Sequence, residues 1–488
     1  MAEKIDPSSD SAANPSFKAE WWTPQLAGPV IAAAVVRLAL LAAVLARNGT
    51  SGLLQGDTTS YLHPGRNLLL HGCFIADGVP DLVRPPGYPL FLAVTSLSGL
   101  PAAALANAIL SVFSVILVWR LGRAAFGDGR IALGAAWIFA FEPISICISV
   151  VLLSETLFLV FFLLCMERIA EFLRGHRLCV LAVAGVWLAA ATLVRPVTYY
   201  LPVALALGLF LVLARVPGLP LQRQGFAAGD RGLCWKAPAV LLISVLPWIA
   251  AWQTRNLVET GYGGFSSLKE VNLYFFTADS VTARVEHRRW HDVQDELGYT
   301  GFLNRNGQSY LYQNYLVRHP EQAGWNQAQR LAFMHSEALS VIRAHYKDYL
   351  YLCLVDTFKT IVDPGTWYFD HLLQLYPEDP GHPAALFADV GLAHWVKDFV
   401  NAHPWEALEK VIFAVALLGV YLFAARGVFR SGMHNPSLWL LLGTALYFLA
   451  VSAAAGGPGA DARYRLPIMP IICVLAAAGF QRTRTIAE

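Results

Sequence analysis

Ten apolar runs, near residues 27–46, 101–119, 131–149, 151–166, 178–194, 198–214, 237–253, 406–424, 437–452 and 466–480, constrain this chain more than any motif in it. In hydrocarbon an unpaired backbone N–H or C=O costs several kcal/mol, so such runs fold as helices that satisfy themselves. A crossing takes roughly 20 residues. Several runs are shorter than that, and residues 87–99 add a candidate half-helix, so ten to twelve spans are expected. Composition agrees: 14% of the 488 residues are charged, against about 25% in an average soluble chain. The expected fold is an all-α polytopic membrane protein.

A net charge of +2 points to no nucleic-acid partner. The sequence contains neither a GxxxxGK[ST] phosphate loop nor a dinucleotide fingerprint, so coupling to ATP within the chain is not expected. The seven cysteines form no CxxC pair, which removes redox and zinc motifs. Cys73 and Cys353 both fall on segments expected outside and are read as free thiols.

Basic residues orient the spans. Arg120, Arg123 and Arg130 follow the second run, and Arg168, Arg174 and Arg177 the fourth. Arg215, Arg223, Arg231 and Lys236 follow the sixth, Arg426 and Arg430 the eighth, and Arg482 and Arg484 the last. Every even-numbered exit is basic, which places these loops and both termini in the cytoplasm. The expected organisation is then a cytosolic tail (1–26), an N-terminal transmembrane module (27–253) with a first external loop (47–86), a large extracytoplasmic loop (254–405) and C-terminal helices (406–488). The large loop carries a helix-like stretch, 327–361, ended by the turn sequence DPGTWYF, and is read as a helical cap lying partly in the interface.

That orientation makes some charges anomalous. Arg66 and Arg84 lie in the first external loop, and Arg195, Arg255, Arg463 and Arg465 sit at outward ends of spans. Outward arginines run against the positive-inside rule, and a phosphate at the outer membrane face would account for them, because guanidinium offers planar paired donors to phosphate oxygens. Two acids share that level: Asp57 in GDTTSY and Glu155 in LLSETLF. Carboxylates at such a rim can take a proton from a nucleophile while the arginines stabilise a departing phosphate. Each also has a plain reading, Asp57 as a helix N-cap and Glu155 in a first helical turn behind Ser154. Deeper in the membrane, Arg37 and Glu142 are expected to pair, since an unpaired charge at the bilayer centre costs about 2.5–3.5 kcal/mol. His287 and His291, at i,i+4 spacing in EHRRWHD, are read as a solvated pair on one helix face rather than as metal ligands.

GDTTSY, RPPGYPLF, LSETLF, TLVRP, PWIAAWQTRN and RYRLPIMP, in this order, resemble the GT-C class of integral membrane glycosyltransferases, nearest the family 39-like enzymes, protein O-mannosyltransferases and lipid A aminoarabinose transferases. The resemblance implies a GT-C fold and a sugar donor on polyprenyl phosphate. It implies an extracytoplasmic active site in a bacterial inner membrane and a lipid, protein or glycan acceptor. On it, Asp57 is the catalytic base or positions the acceptor, and Glu155 is the second acid. Arg84, with Arg195, Arg463 and Arg465, would hold the donor phosphate. Tyr61, Tyr88, Arg255 and Asn256 would line the sugar or acceptor pocket. Transfer would be a single displacement with inversion. No cofactor is implied with certainty, and the resemblance leaves a divalent ion open, because some relatives hold one on their external acids. The rival readings are an O-antigen ligase or polymerase with a polyprenyl-diphosphate donor, and a flippase or transporter. The absence of a repeat between the halves, and the gathering of polar candidates at one face, speak against transport.

Overall fold

The computed structural model describes residues 22–76, 78–214, 232–299, 315–375, 403–432, 434–455, 457–459 and 461–481, with 397, 400 and 401. Residues before Trp22, the loop with Arg215, Arg223 and Arg231, and the tail arginines Arg482 and Arg484 lie outside these.

Helix accounts for nearly all of the described chain, as the apolar runs require. Six helical stretches are long and apolar enough to cross a membrane: Pro24–Leu53, Leu100–Phe126, Pro196–Leu213, Leu233–Thr260, Pro404–Ser431 and Pro436–Ala454. Four shorter apolar helices accompany them, Gly87–Ser98, Gly129–Ala140, Leu178–Val194 and Met469–Phe480. In chain order the membrane part comprises α1 (Ala27–Asn48), then α2 (Thr58–His71) and α3 (Gly87–Thr95) in the first loop. There follow α4 (Leu100–Phe126), α5 (Gly129–Ala140), α6 (Pro143–Ile148), α7 (Glu155–Gly175), α8 (Leu178–Val194), α9 (Leu201–Leu213) and α10 (Leu233–Thr260). The 254–405 region supplies α11 (Leu268–Asn272), α12 (Asp279–Val285), α13 (Trp290–Glu296), α14 (Gln327–Ala344), α15 (Tyr346–Val362) and α16 (Thr366–Leu373). The chain closes with α17 (Pro404–Ser431), α18 (Pro436–Ala455) and α19 (Met469–Phe480).

Several sequence expectations change here. The run 131–149 is not one span: α5 stops at Ala140, and Glu142 starts α6 by accepting from Ser145 N at 2.5 Å, with Pro143 at the first helical position where its missing N–H costs nothing. Arg37 and Glu142 consequently do not pair directly. Arg37 is fully buried and donates to Ser111 Oγ (2.7 Å), Ala140 O (2.9 Å) and Ser145 Oγ (3.0 Å), so the two charges meet through Ser145. The stretch 327–361 breaks at His345 into α14 and α15. His287 and His291 share no helix face: α12 ends at Val285, His287 adopts φ +56°, and His291 lies in α13 against Trp290. Cys73 and Cys353 are both free.

Close backbone approaches lock the first loop to the bundle. A Cβ on Gly65 of α2 would fall 2.1 Å from Pro89 O, and one on Gly87 would fall 2.7 Å from Leu193 O. Gly65→Ala is expected to force α2 off α3 at a cost of about 1–3 kcal/mol, read as a lowered thermal midpoint in detergent. Further along, Leu152 N donates to Leu53 O at 3.0 Å, which fastens the start of the loop to the turn preceding α7.

Candidate active site

Asp57 occupies the N-cap position of α2, where a carboxylate ordinarily accepts from the backbone of the first turn. It makes no such bond. Its Oδ1 accepts from Arg84 Nη2 at 2.7 Å, and its Oδ2 from Arg463 Nη1 at 3.5 Å. The start of α7 repeats the arrangement. Ser154 stands at the N-cap without capping. Its hydroxyl instead meets Tyr61 OH at 3.1 Å and Arg195 Nη1 at 3.4 Å. Beside it Glu155 Oε1 takes Arg195 Nη1 at 2.5 Å and Arg463 Nε at 3.5 Å. Two acids at helix starts therefore forgo capping, and Arg463 bridges them.

Arg84 belongs to the Asp57 side of this cluster. Its Nε donates to Ser60 Oγ at 2.9 Å, and its guanidinium lies over the Tyr61 ring at 4.4 Å. Tyr88 is fully buried behind Tyr61, edge to face at 4.9 Å, with its hydroxyl accepting from Asn107. Arg66 is exposed on α2. Arg463 is aimed by its neighbour Asp461, whose Oδ1 accepts Arg463 N at 2.7 Å while Oδ2 accepts Tyr368 OH at 2.9 Å.

A pocket opens beside Arg463. Its lining combines the charged side chains of Glu155, Arg195 and Arg463 with the apolar ones of Phe158, Leu159, Val197, Phe448, Leu466 and Pro467. Glu155 Oε2 is buried on that lining and has no hydrogen-bond partner. Phe158, Phe448 and Ser452 were not singled out in the sequence, because an aromatic in an apolar run looks the same whether it faces lipid, core or a ligand.

Burial alone would push the Asp57 carboxyl up, but Arg84 and Arg463 outweigh it and hold the group below its ordinary 3.8. Asp57 is thus an anion throughout the physiological range, with its side chain 25% exposed. Asp81 behaves oppositely: burial raises it to about 6, against the hydrogen bond from Val83 N and the charges of Arg84 and Arg255. A raised carboxyl pKa penalises the folded state as pH climbs from the unfolded value near 4 to the folded value near 6. Asp81→Asn is therefore expected to stabilise the protein by up to about 3 kcal/mol at pH 7.5 and to change little at pH 4, compared by thermal unfolding at the two pH values.

Three arginine and asparagine candidates lie away from the cluster. Arg255 donates to Asp81 O (2.8 Å) and Phe74 O (2.6 Å), clamping both ends of the small hairpin Ile75–Pro80. Asn256 donates to Gly264 O and Phe265 O. Arg465 is 1% exposed, and its Nη1 donates to Thr360 O, Ile361 O and Asp363 O. Nor do the acids suit a cation: Asp57 and Glu155 already face Arg84, Arg195 and Arg463, whose charges would repel a divalent ion. Among the described residues no group of three or more His, Cys, Asp or Glu side chains could hold a metal.

Acids and arginines thus converge where the first loop meets the helix ends of the bundle. Residues 83–224, which carry Arg84, Glu155 and Arg195, match the sequence model of the dolichyl-phosphate-mannose-protein mannosyltransferase family. Among solved structures, the apo oligosaccharyltransferase of Archaeoglobus fulgidus shares the fold: 14% identity, 94% of this chain and 51% of that one, TM-score 0.50. The same archaeal enzyme, AglB, with an inhibitory peptide and a dolichol-phosphate also matches, at 16% identity over 92% and 50% of the two chains, TM-score 0.45. ArnT from Cupriavidus metallidurans bound to undecaprenyl phosphate matches at 14% identity, 89% of this chain and 78% of that one, TM-score 0.35. The chain spans about half the length of the archaeal enzyme. No curated protein sequence matches it significantly.

Proposed function

We propose that this protein is an inverting glycosyltransferase that moves a sugar from a polyprenyl-phosphate carrier to an acceptor at the extracytoplasmic face of the membrane. The observation that carries the reading is the mixed lining of the pocket: the guanidinium groups of Arg195 and Arg463 share it with the apolar side chains of Phe158, Leu159, Val197 and Phe448, and Arg463 also reaches Asp57 at 3.5 Å. A phosphate esterified to an isoprenoid chain has those two chemistries in sequence. The matched mannosyltransferase family, named for a dolichyl-phosphate donor, supports the same class of donor.

In this reading Arg195 and Arg463 hold the donor phosphate and turn from Glu155 toward it. An acceptor hydroxyl or amine approaches C1 of the sugar from the Asp57 side. The C1–O bond to phosphate breaks, the acceptor–C1 bond forms on the opposite face, and Asp57 takes the acceptor proton. The freed phosphate keeps the bond's electron pair beside the two arginines. A carboxylate held below its usual range is a weak base, which suits an oxocarbenium-like transition state: the acceptor proton becomes acidic only once C1 bonding has begun. Arg84 seats Asp57 and keeps it ionised. The domain division that follows is the one read from the sequence, with the first loop bringing the base and the closing loop at 461–467 bringing Arg463.

The test is reconstitution of the purified chain in liposomes with a panel of radiolabelled sugars on polyprenyl phosphate and on polyprenyl diphosphate. Release of polyprenyl phosphate together with transfer is the expected outcome. Turnover confined to the diphosphate donors would favour the ligase or polymerase reading.

A further inference from the structure

We infer that residues 346–373 form a re-entrant helical hairpin, lodged in the leaflet on the Asp57 side of the bilayer, whose exposed apolar stripe contacts lipid acyl chains and whose tip holds the loop that carries Arg463. The naming of that leaflet rests on the site described above; the insertion itself rests on the hairpin's own geometry.

The first observation is an inverted pattern. An extramembranous helix buries its apolar face and shows its polar one. In α15 the exposed side chains include Tyr346, Leu350, Leu354 and Phe358, at i,i+4 spacing, flanked by Tyr351 and Val362, with Leu354 72% exposed. The inward face instead holds Asp356, 4% exposed, with Lys359 Nζ 3.5 Å away. The charged residues beside the stripe, Lys347 and Asp348, lie in the first turn, where the Lys347 ammonium can reach headgroups and Asp348 pairs with Arg284 at 2.9 Å. Exposed Leu–Leu–Phe over buried Asp–Lys is stable where the surroundings are hydrocarbon rather than water.

The second observation is depth. The first turns of α17 are charged, with Lys410 Nζ bonded to Glu406 (2.9 Å) and Asp370 (3.3 Å). From Val411 to Ala425 the helix is apolar, with Arg426 beyond, and Tyr421 lies about 16 Å past Lys410 along the axis. Tyr421 OH donates to Ile361 O in the last turn of α15 at 2.8 Å. The helix therefore ends beside the apolar part of a spanning helix, past its charged collar. The chain then reverses at Asp363–Gly365, with Gly365 at φ +77° and so close to Ile144 that a Cβ would fall 2.0 Å from its Cδ1. The return helix α16 ends at the C-terminal end of α1, where Arg47 Nη1 and Asn48 Nδ2 donate to Leu373 O and Leu372 O. Down along α18, a turn beside Tyr421 of α17, and back to the first loop is a re-entrant path. Irregular backbone at that depth is tolerated only where protein satisfies it, and it is satisfied. The carbonyls of Thr360, Ile361 and Asp363 accept from Arg465, and Asp363 carboxylate oxygens accept from Gly365 N and Ala462 N. Those same bonds hold the segment that presents Arg463. Continuity identifies the occupant of the stripe as lipid: α15 packs along α18, a candidate membrane span whose Leu446 is likewise exposed.

The experiment is spin labelling of Leu354→Cys and Phe358→Cys in nanodiscs, with Ser340→Cys on exposed α14 as control, in a chain whose Cys73, Cys179, Cys234 and Cys353 are replaced. Collision with oxygen, relative to a water-soluble nickel chelate, is expected to be several-fold higher at 354 and 358 than at 340. Equal ratios at all three sites would mean the stripe faces water and would overturn the hairpin. Low access to both reagents, with spin–spin broadening, would overturn the lipid contact in favour of a second copy of the chain. Neither result needs donor or acceptor, so failure here is separable from failure of the transfer reading. A chain carrying Leu354→Asp and Phe358→Asp tests the hold on Arg463 and is expected to lose donor affinity several-fold. Unaltered donor affinity in that chain, with the label ratios as expected, would refute the link to Arg463.

Discussion

Replacing Asp57 by asparagine is expected to lower the rate of sugar transfer by about 10²–10⁴-fold, the usual contribution of a positioned general base. Asparagine keeps the side chain's shape and can still accept from Arg84, so insertion and thermal stability should change far less than activity. The wild-type pH profile supplies a second reading of the same group. Burial opposes ionisation, but the Arg84 and Arg463 charges prevail and hold the carboxyl below 3.8. A depressed carboxyl keeps its charge as pH falls until the folded pKa is reached, so Asp57 contributes no acid limb to kcat/KM between pH 5 and 8. A limb near pH 6 that disappears in Asp57→Asn would contradict this placement. Steady-state transfer with a saturating donor, measured across pH for both proteins, decides it.

Arg463→Ala is the other change with a large expected effect. A hydrogen bond to a charged group contributes about 1.5–3 kcal/mol, so donor affinity should fall by roughly 10–10²-fold. Its neighbour two residues on provides the contrast. Arg465 is buried and spent on three backbone carbonyls, so Arg465→Ala should act first on stability, by about 3–5 kcal/mol from orphaned buried partners. Donor titrations and thermal unfolding on the two variants separate the roles. If both variants lose donor affinity alike with unchanged melting, the division between the two arginines is wrong.

That contrast shows how far the sequence reaches. Arg463 and Arg465 sit in one motif, both at an outward helix end, and charge geography treats them alike. Tertiary structure separates them: residues 462–465 form a tight 3-10 turn, and it sends one guanidinium to Asp57 and Glu155 and the other inward to the 360–363 carbonyls. Arg84 and Arg195 divide similarly, one seating Asp57 and one lining the pocket with Glu155. Arg255 stood at the same membrane level and proved to be a clamp on the first loop. The 131–149 run is apolar on both sides of Glu142-Pro143, and the Glu142–Ser145 cap shows that it breaks there.

Helical class, apolar helices long enough to cross a membrane, and the gathering of acids and arginines near helix ends follow from the sequence alone. Hydrocarbon permits few backbone solutions, and charge is costly enough there that its position along the chain carries information. Which guanidinium faces which carboxylate, which aromatics line the pocket, and that α15 turns its apolar side outward were decided by packing between segments tens to hundreds of residues apart. Side-chain direction on a buried helix depends on neighbours that no local period encodes.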